Sequence, residues 1–545
     1  MLLTGRIATL AGESGFGWVE AIGIRDGRVA FAGSEVYLQT RADPFTERIV
    51  LDPDEVAIPG LTDAHLHLAG AADATRQLAL GGAATLADGL AAIRVAHEAM
   101  SDPERWLEGH GWDPDRWGRW PTAADLEAVV PGRRVALWAH DHHAMLVSRA
   151  AMDLVGVDGD TPDPPGGVIR RGPDGAPEGV LYESATLLVT TRIPPSSQDE
   201  LEARLVAVSS QLIALGVVAV HDPGPLSPDP ELDRSYPAYA HLSETGRLPI
   251  RVLVSFRDDA LETALAGGLR SGAILGADPA GRARVGWQKC FADGSLGSRT
   301  AALLADIEPE PARPLPPERR RGVWNTEPER LLDLVERAAA GGIATQIHGI
   351  GDAAVRAALD VLEPTAAGVP YMPRVEHVQL LDPADRGRFA AAGIAASVQP
   401  SHLGTDAAQA RLLWGSRAER NGYSWGSIAA TGAVLAFGTD APIEPFDPWP
   451  GIALAVRRED PRWPAGTPPF APDEALSVEQ ALRAACVGPP RSAREADRGR
   501  LTVGQRADVV VIPAASLAEP VEPGGALATT RPSIVIVDGR VAYEA

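Results

Sequence analysis

The chain has 545 residues, 45% of them hydrophobic, enough for a large core in more than one domain. Its formal net charge of −22 and pI near 5.0 exclude a nucleic-acid binder, and no basic cluster offsets them. The two cysteines, Cys290 and Cys486, lie far apart in sequence. They predict neither a disulfide scaffold nor a cysteine zinc site, and they fit a reducing, cytoplasmic compartment.

The N-terminus, MLLTGRIATLAGESG, has no sustained hydrophobic region and is read as lacking a signal peptide. No run reaches 18 apolar residues, so no membrane span is expected. AIGIRDGRVAFAG (21–33) reads as two alternating strands joined across Asp-Gly, a strong hairpin signal. IVIVDGRVAYEA (534–545) repeats that pattern at the other end, after the strand-like RLTVGQRADVVVIP (500–513). Residues 1–57 and 497–545 are therefore expected to build one composite β-sandwich.

Between the termini, short apolar runs alternate with Ala/Leu-rich helical patterns, the sign of βα units around a parallel sheet. The candidate strands are 56–67, 216–222, 250–256, 284–291, 342–349, 373–380, 393–400 and 433–442. Eight such strands close a (β/α)8 TIM barrel, placed over 58–496. A long insertion after the first strand, 70–215, carries GWDPDRWGRW (111–120), WAHDHHAM (138–145) and a segment ending in GVLYE (179–183). So long an insertion reads as a cap rather than a structureless loop.

The chemistry gathers at the strand ends. In TDAHLH, His65 and His67 stand two apart, a spacing that puts both side chains on one face of a strand. Neutral imidazoles suit zinc and similar metals. Lys289, His348, His377 and Asp440 fall where later apolar runs stop. Each alone has a plain structural explanation, but five such positions in register with strand ends point to one site at the catalytic face of a barrel.

These residues, with KCFADGSLGSRTA (289–301), QIHGIGD (346–352), VEHVQL (375–380), SVQPSH (397–402), FGTDAP (437–442) and GRLTVGQRADVVVI (499–512), resemble the metal-dependent amidohydrolase superfamily in its YtcJ-like (amidohydrolase-3) branch. The resemblance covers nearly the whole chain. It implies one or two divalent ions, zinc foremost with manganese or iron as alternatives, and a small-molecule substrate. His65 and His67 would bind the first ion, and His348 and His377 the second. Lys289, carboxylated by CO2, would bridge the two. Asp440 would touch the metal and act as general base for a metal-activated hydroxide. The implied reaction is hydrolysis of a non-peptide carbon–nitrogen bond in an amide, N-formyl or cyclic amide. Ester or lactone hydrolysis and deamination are the alternatives on the same scaffold, and a non-catalytic regulatory protein is the alternative of another class. Relatives of this kind are often homodimers.

Further candidates carry substrate-contacting or structural readings. Glu183, in GVLYESA, either completes the metal site or buttresses it. Asp141 and His143 match a motif that usually reads Asp-Gly-His, with His142 in place of the glycine. His402 ends the seventh strand and can face the pocket, and His221 with Asp222 ends the second. Trp112, among Trp106, Trp117 and Trp120, either packs the cap or lines an apolar substrate pocket.

Overall fold

The computed structural model describes residues 1–40, 46–102, 104–140, 142–194, 196–225, 235–278, 280–310, 315–518 and 525–545. The chain divides into two compact bodies, one holding Met1–Leu68, Val206–Gly224 and Pro230–Ala545, the other Ala69–Leu205 and Pro225–Asp229.

In the first body, strands from both chain ends share one sheet. Val509–Pro513 runs antiparallel to Glu55–Pro59 and stitches the C-terminal strands onto the N-terminal ones. Both Asp-Gly hairpins form. Asp26 and Gly27 take φ of 51° and 74°, and Asp538 and Gly539 take 49° and 72°. Two successive left-handed residues make the turn whose twist matches the strands on either side. Ala507 runs between the two turns, its N–H donating to Gly27 O (2.8 Å) and its carbonyl accepting Gly539 N–H (2.9 Å). The next residue, Asp508, pairs with Arg251 at 2.9 Å, and both are buried. Arg251 opens the third barrel strand, so the signature segment ties the sheet to the barrel. Ile7, Ile22, Val509 and Ile536 join one apolar cluster drawn from both chain ends.

Eight parallel strands build the barrel: Leu61–Asp63, Val217–Asp222, Arg251–Arg257, Ala283–Phe291, Thr345–Gly349, Arg374–His377, Ala395–Val398 and Leu435–Phe437. Each overlaps one of the eight expected runs. Beyond its paired strands the sheet nearly closes on itself. Ala64 N–H donates to Phe437 O at 2.8 Å, and the Asp63 carboxylate accepts Thr439 N–H (3.1 Å) and Thr439 Oγ1–H (2.7 Å). The fold is thus a (β/α)8 barrel with an additional sheet drawn from both termini.

One expectation about the first strand needs correction. The run 56–67 is two strands: Glu55–Pro59 belongs to the terminal sheet and Leu61–Asp63 to the barrel. Gly60 makes the crossing, where a β-carbon would lie 2.6 Å from Val218 Cγ2. The barrel strand ends at Asp63, so strand alternation does not orient His65 and His67. They sit in the turn that follows.

The second body has its own six-stranded sheet and core. Trp112 is fully enclosed there, with Nε1–H donating to Leu137 O at 2.7 Å. It takes its place in the core of this body, as the packing reading expects. Trp117 and Trp120 pack around it. Among the described residues no helix is long and apolar enough to cross a membrane.

Candidate metal centre

The turn after the first strand is shaped by hydrogen bonds rather than by pleating. His65 N–H donates to Asp63 Oδ1 (3.0 Å), Leu66 N–H to His221 O (3.2 Å) and His67 N–H to Ala441 O (3.0 Å). His65 O accepts Asp440 N–H at 2.6 Å, which brings the loops after the first and last strands together. Only glycine permits this approach at 438, because a β-carbon there would lie 2.4 Å from His65 N.

His377 and Asp440 both adopt left-handed backbone, with φ of 72° and 62°. For residues with a β-carbon this costs on the order of 1–3 kcal/mol each, a strain typical of functional sites. Hydrogen bonds hold both corners, Asp440 through His65 O and the residue after His377 through Val378 N–H to Gly349 O at 3.0 Å.

The imidazoles are aimed by their distal nitrogens. His65 Nδ1 meets Glu376 Oε2 at 2.5 Å, and His67 Nδ1 meets Gly224 O at 2.6 Å. Their Nε2 atoms then face Asp440 Oδ1, at 3.4 Å and 3.5 Å. Asp440 Oδ2 lies 3.0 Å from His402 Nε2 and 3.9 Å from His377 Nδ1. His348 sets its ring 4.4 Å from that of His377 and directs Nε2 to Gly294 O at 3.0 Å.

Charge states follow from burial. Desolvation, with Lys289 nearby, brings His65 down to about 4, so its ring is neutral. Burial works to protonate Glu376, yet Arg374, His65 and Lys289 outweigh it and hold the carboxylate well below its usual range. Lys289, fully buried and 4.9 Å over the Phe291 ring, is brought down to about 8 mainly by desolvation. For His402, burial opposes charge, but Asp440 and Glu444 raise it to about 10.

A divalent cation fits this arrangement. With its Nδ1–H given to Glu376, neutral His65 turns a lone pair on Nε2 toward a carboxylate oxygen, two electron-pair donors face to face. His65 Nε2, His377 Nδ1 and Asp440 Oδ1 are buried without a hydrogen-bond partner. These three residues each offer a ligand atom within 4.8 Å of the others. Ligands around tetrahedral zinc at about 2.1 Å stand roughly 3.4 Å apart, matching the 3.4 Å between His65 Nε2 and Asp440 Oδ1.

The expected site residues distribute as follows. His65, His67, His377, Asp440 and His402 converge within a few ångströms, and His348 adjoins them through His377. Lys289 lies beneath, paired in register with Gln346. His143 and Glu183, from different motifs, meet in the second body, with His143 Nδ1 3.0 Å from Glu183 Oε1. Asp141 lies outside the described residues. His221 Nδ1 takes Arg374 Nη1–H (2.9 Å), and Asp222 accepts Tyr239 O–H (2.7 Å) and Gly224 N–H (2.9 Å).

Two residues escaped the sequence reading. Glu376, beside His377 in VEHVQL, orients His65 and pairs with Arg374 at 2.7 Å. Asp293 accepts the N–H groups of Ile350 (3.0 Å), Gly351 (2.9 Å) and Ala302 (2.8 Å), fixing the loop around His348. Their only sequence signal was an acid inside a motif already singled out for another residue.

A parallel barrel whose C-terminal rim gathers four histidines and an aspartate around one point is the architecture of a barrel hydrolase. The family model described as "Amidohydrolase family" matches residues 54–543, and the chain belongs to that family. It is 30% identical over 497 residues to the putative amidohydrolase YtcJ of Bacillus subtilis, covering 90% of both chains. It is 26% identical over 508 residues to an N-substituted formamide deformylase of Arthrobacter pascens, again covering 90% of both. Among solved structures, an uncharacterized metal-dependent hydrolase from Pyrococcus horikoshii shares the fold with a TM-score of 0.75 at 24% identity, covering 96% of this chain and 99% of that one.

Proposed function

We propose that the chain is a metal-dependent hydrolase that cleaves a non-peptide carbon–nitrogen bond in an amide, N-formyl or cyclic amide substrate. The observation that carries this reading is the gathering of His65 Nε2, His377 Nδ1 and Asp440 Oδ1, buried atoms without a hydrogen-bond partner on residues close enough to share one ion. The formamide deformylase relative supports an N-formyl amine as the substrate class.

His65, His67 and Asp440 would hold one ion, His348 and His377 would serve a second, and Lys289, if carboxylated, would add an anionic oxygen donor. When bound, a divalent ion supplies polarisation of the carbonyl and a lowered pKa for water. The chain's own groups handle the proton. Asp440 takes it from the attacking water and delivers it to the leaving nitrogen, which departs poorly without one. His402, bonded to Asp440 Oδ2, keeps Oδ1 turned toward the histidines.

Elemental analysis of purified protein should find one to two transition-metal ions per chain. Zinc- or manganese-loaded protein should turn over members of a panel of N-formyl and N-acyl amines. Protein that stays metal-free and inert after loading would overturn the reading. The carbamate has its own test: Lys289→Ala should lose turnover and regain part of it with short carboxylic acids such as propionate, and a variant as active as the parent would remove that donor.

A further inference from the structure

One polar group at the mouth of the barrel has no work in the scheme above. Gln399 follows the seventh barrel strand, Ala395–Val398, in extended backbone with φ −119° and ψ 95°. Ser397 points into the barrel, because its Oγ accepts Arg374 Nη2–H at 3.0 Å. Arg374 in turn lies over the interior Trp287 ring at 4.5 Å. The alternation that turns Ser397 inward turns Gln399 inward as well, two residues nearer the C-terminal mouth through which barrel enzymes admit substrate.

Gln399 is 2% exposed, and neither Oε1 nor Nε2 has a hydrogen-bond partner. A buried carboxamide left unpaired on both atoms is costly, and native proteins satisfy such groups. Its surroundings are those of the candidate centre. Gln399 O accepts the N–H of His402, and the His402 ring bonds Asp440. Gln346 has an equally unpaired amide, but it pairs in register with Lys289 and Arg374 and stands two residues below His348 on its strand. That depth puts it beneath the histidines, whereas Gln399 stands above Ser397, on the substrate side.

We propose that Gln399 reads the scissile group of the substrate, with Oε1 accepting its amide N–H. The inference rests on the amide reading above and sharpens it. A secondary amide or formamide supplies that N–H, whereas the matching ester has an oxygen there and supplies no donor. A buried acceptor left unpaired by the wrong substrate is a strong source of discrimination. Gln399 would therefore make the site prefer carbon–nitrogen over carbon–oxygen substrates.

The test uses N-benzylformamide and benzyl formate as a matched pair, with kcat/KM measured for zinc-loaded parent and for Gln399→Met, close in shape. The amide-to-ester ratio should fall about tenfold or more in Gln399→Met, with metal content unchanged. Gln399→Glu keeps the acceptor and should retain most of the ratio, so it serves if the methionine variant folds poorly. A ratio unchanged in both variants, with amide turnover intact, overturns the role of Gln399 and leaves the proposed function standing. Dissociation constants measured by calorimetry in Asp440→Asn, with and without Gln399→Met, give the converse. Loss of amide preference in binding, in a chain whose parent hydrolyses neither compound, supports Gln399 as an amide reader while the proposed reaction fails.

Discussion

Asp440→Asn should retain metal while kcat falls by about 10²–10⁴-fold, the range expected when a positioned general base is lost. The geometry divides the labour of the carboxylate. Oδ1 faces His65 and His67 at 3.4 Å and 3.5 Å, and Oδ2 meets His402 at 3.0 Å. Asparagine keeps the shape and one oxygen for the cation, but its amide cannot accept a proton at neutral pH. Elemental analysis beside steady-state kinetics separates the two contributions. Unchanged kcat would remove Asp440 from proton transfer, and loss of all metal would make it chiefly a ligand.

The second large effect is expected at Glu376. Glu376→Ala leaves Arg374 buried with its carboxylate partner gone, a change that costs about 3–5 kcal/mol in comparable buried pairs. Arg374 keeps Ala64 O and Ser397 Oγ as acceptors, so the lower end of that range is expected. The same substitution frees His65 Nδ1, and losing such an orienting acceptor typically weakens metal binding by about 10–100-fold. Glu376→Gln separates these effects. Its carbonyl still accepts from His65 while the charge facing Arg374 is lost. Thermal unfolding should thus rank parent above both variants, whereas metal affinity should rank parent, Gln and then Ala. Equal metal dissociation constants in all three proteins would show that Glu376 does not orient the ligand.

Much of the site was legible in the chain because its parts are local. The Asp-Gly turns declare themselves, since few residue pairs accept two successive left-handed conformations. The eight short apolar runs are fixed by burial on both faces of a parallel sheet, which leaves near-continuous hydrophobic stretches. Histidines and an aspartate at the ends of those runs then mark the catalytic rim. The reading of His65 and His67 as strand neighbours failed for a physical reason. The strand stops at Asp63, whose side chain turns back to cap His65 N–H and to hold Thr439, 376 residues further on. No local pattern encodes that contact.

The sequence by itself determined the order of strands, the hairpin at each end of the chain, and which residue types could bind a metal. Periodicity and turn chemistry act over a few residues and are written in them. Only the tertiary structure decided which nitrogen each histidine offers, that Glu376 rather than a backbone group aims His65, that Trp112 is core, and that Gln399 stands unpaired at the mouth. Those outcomes depend on partners brought from hundreds of residues away, where the deciding quantity is which buried polar atoms find each other.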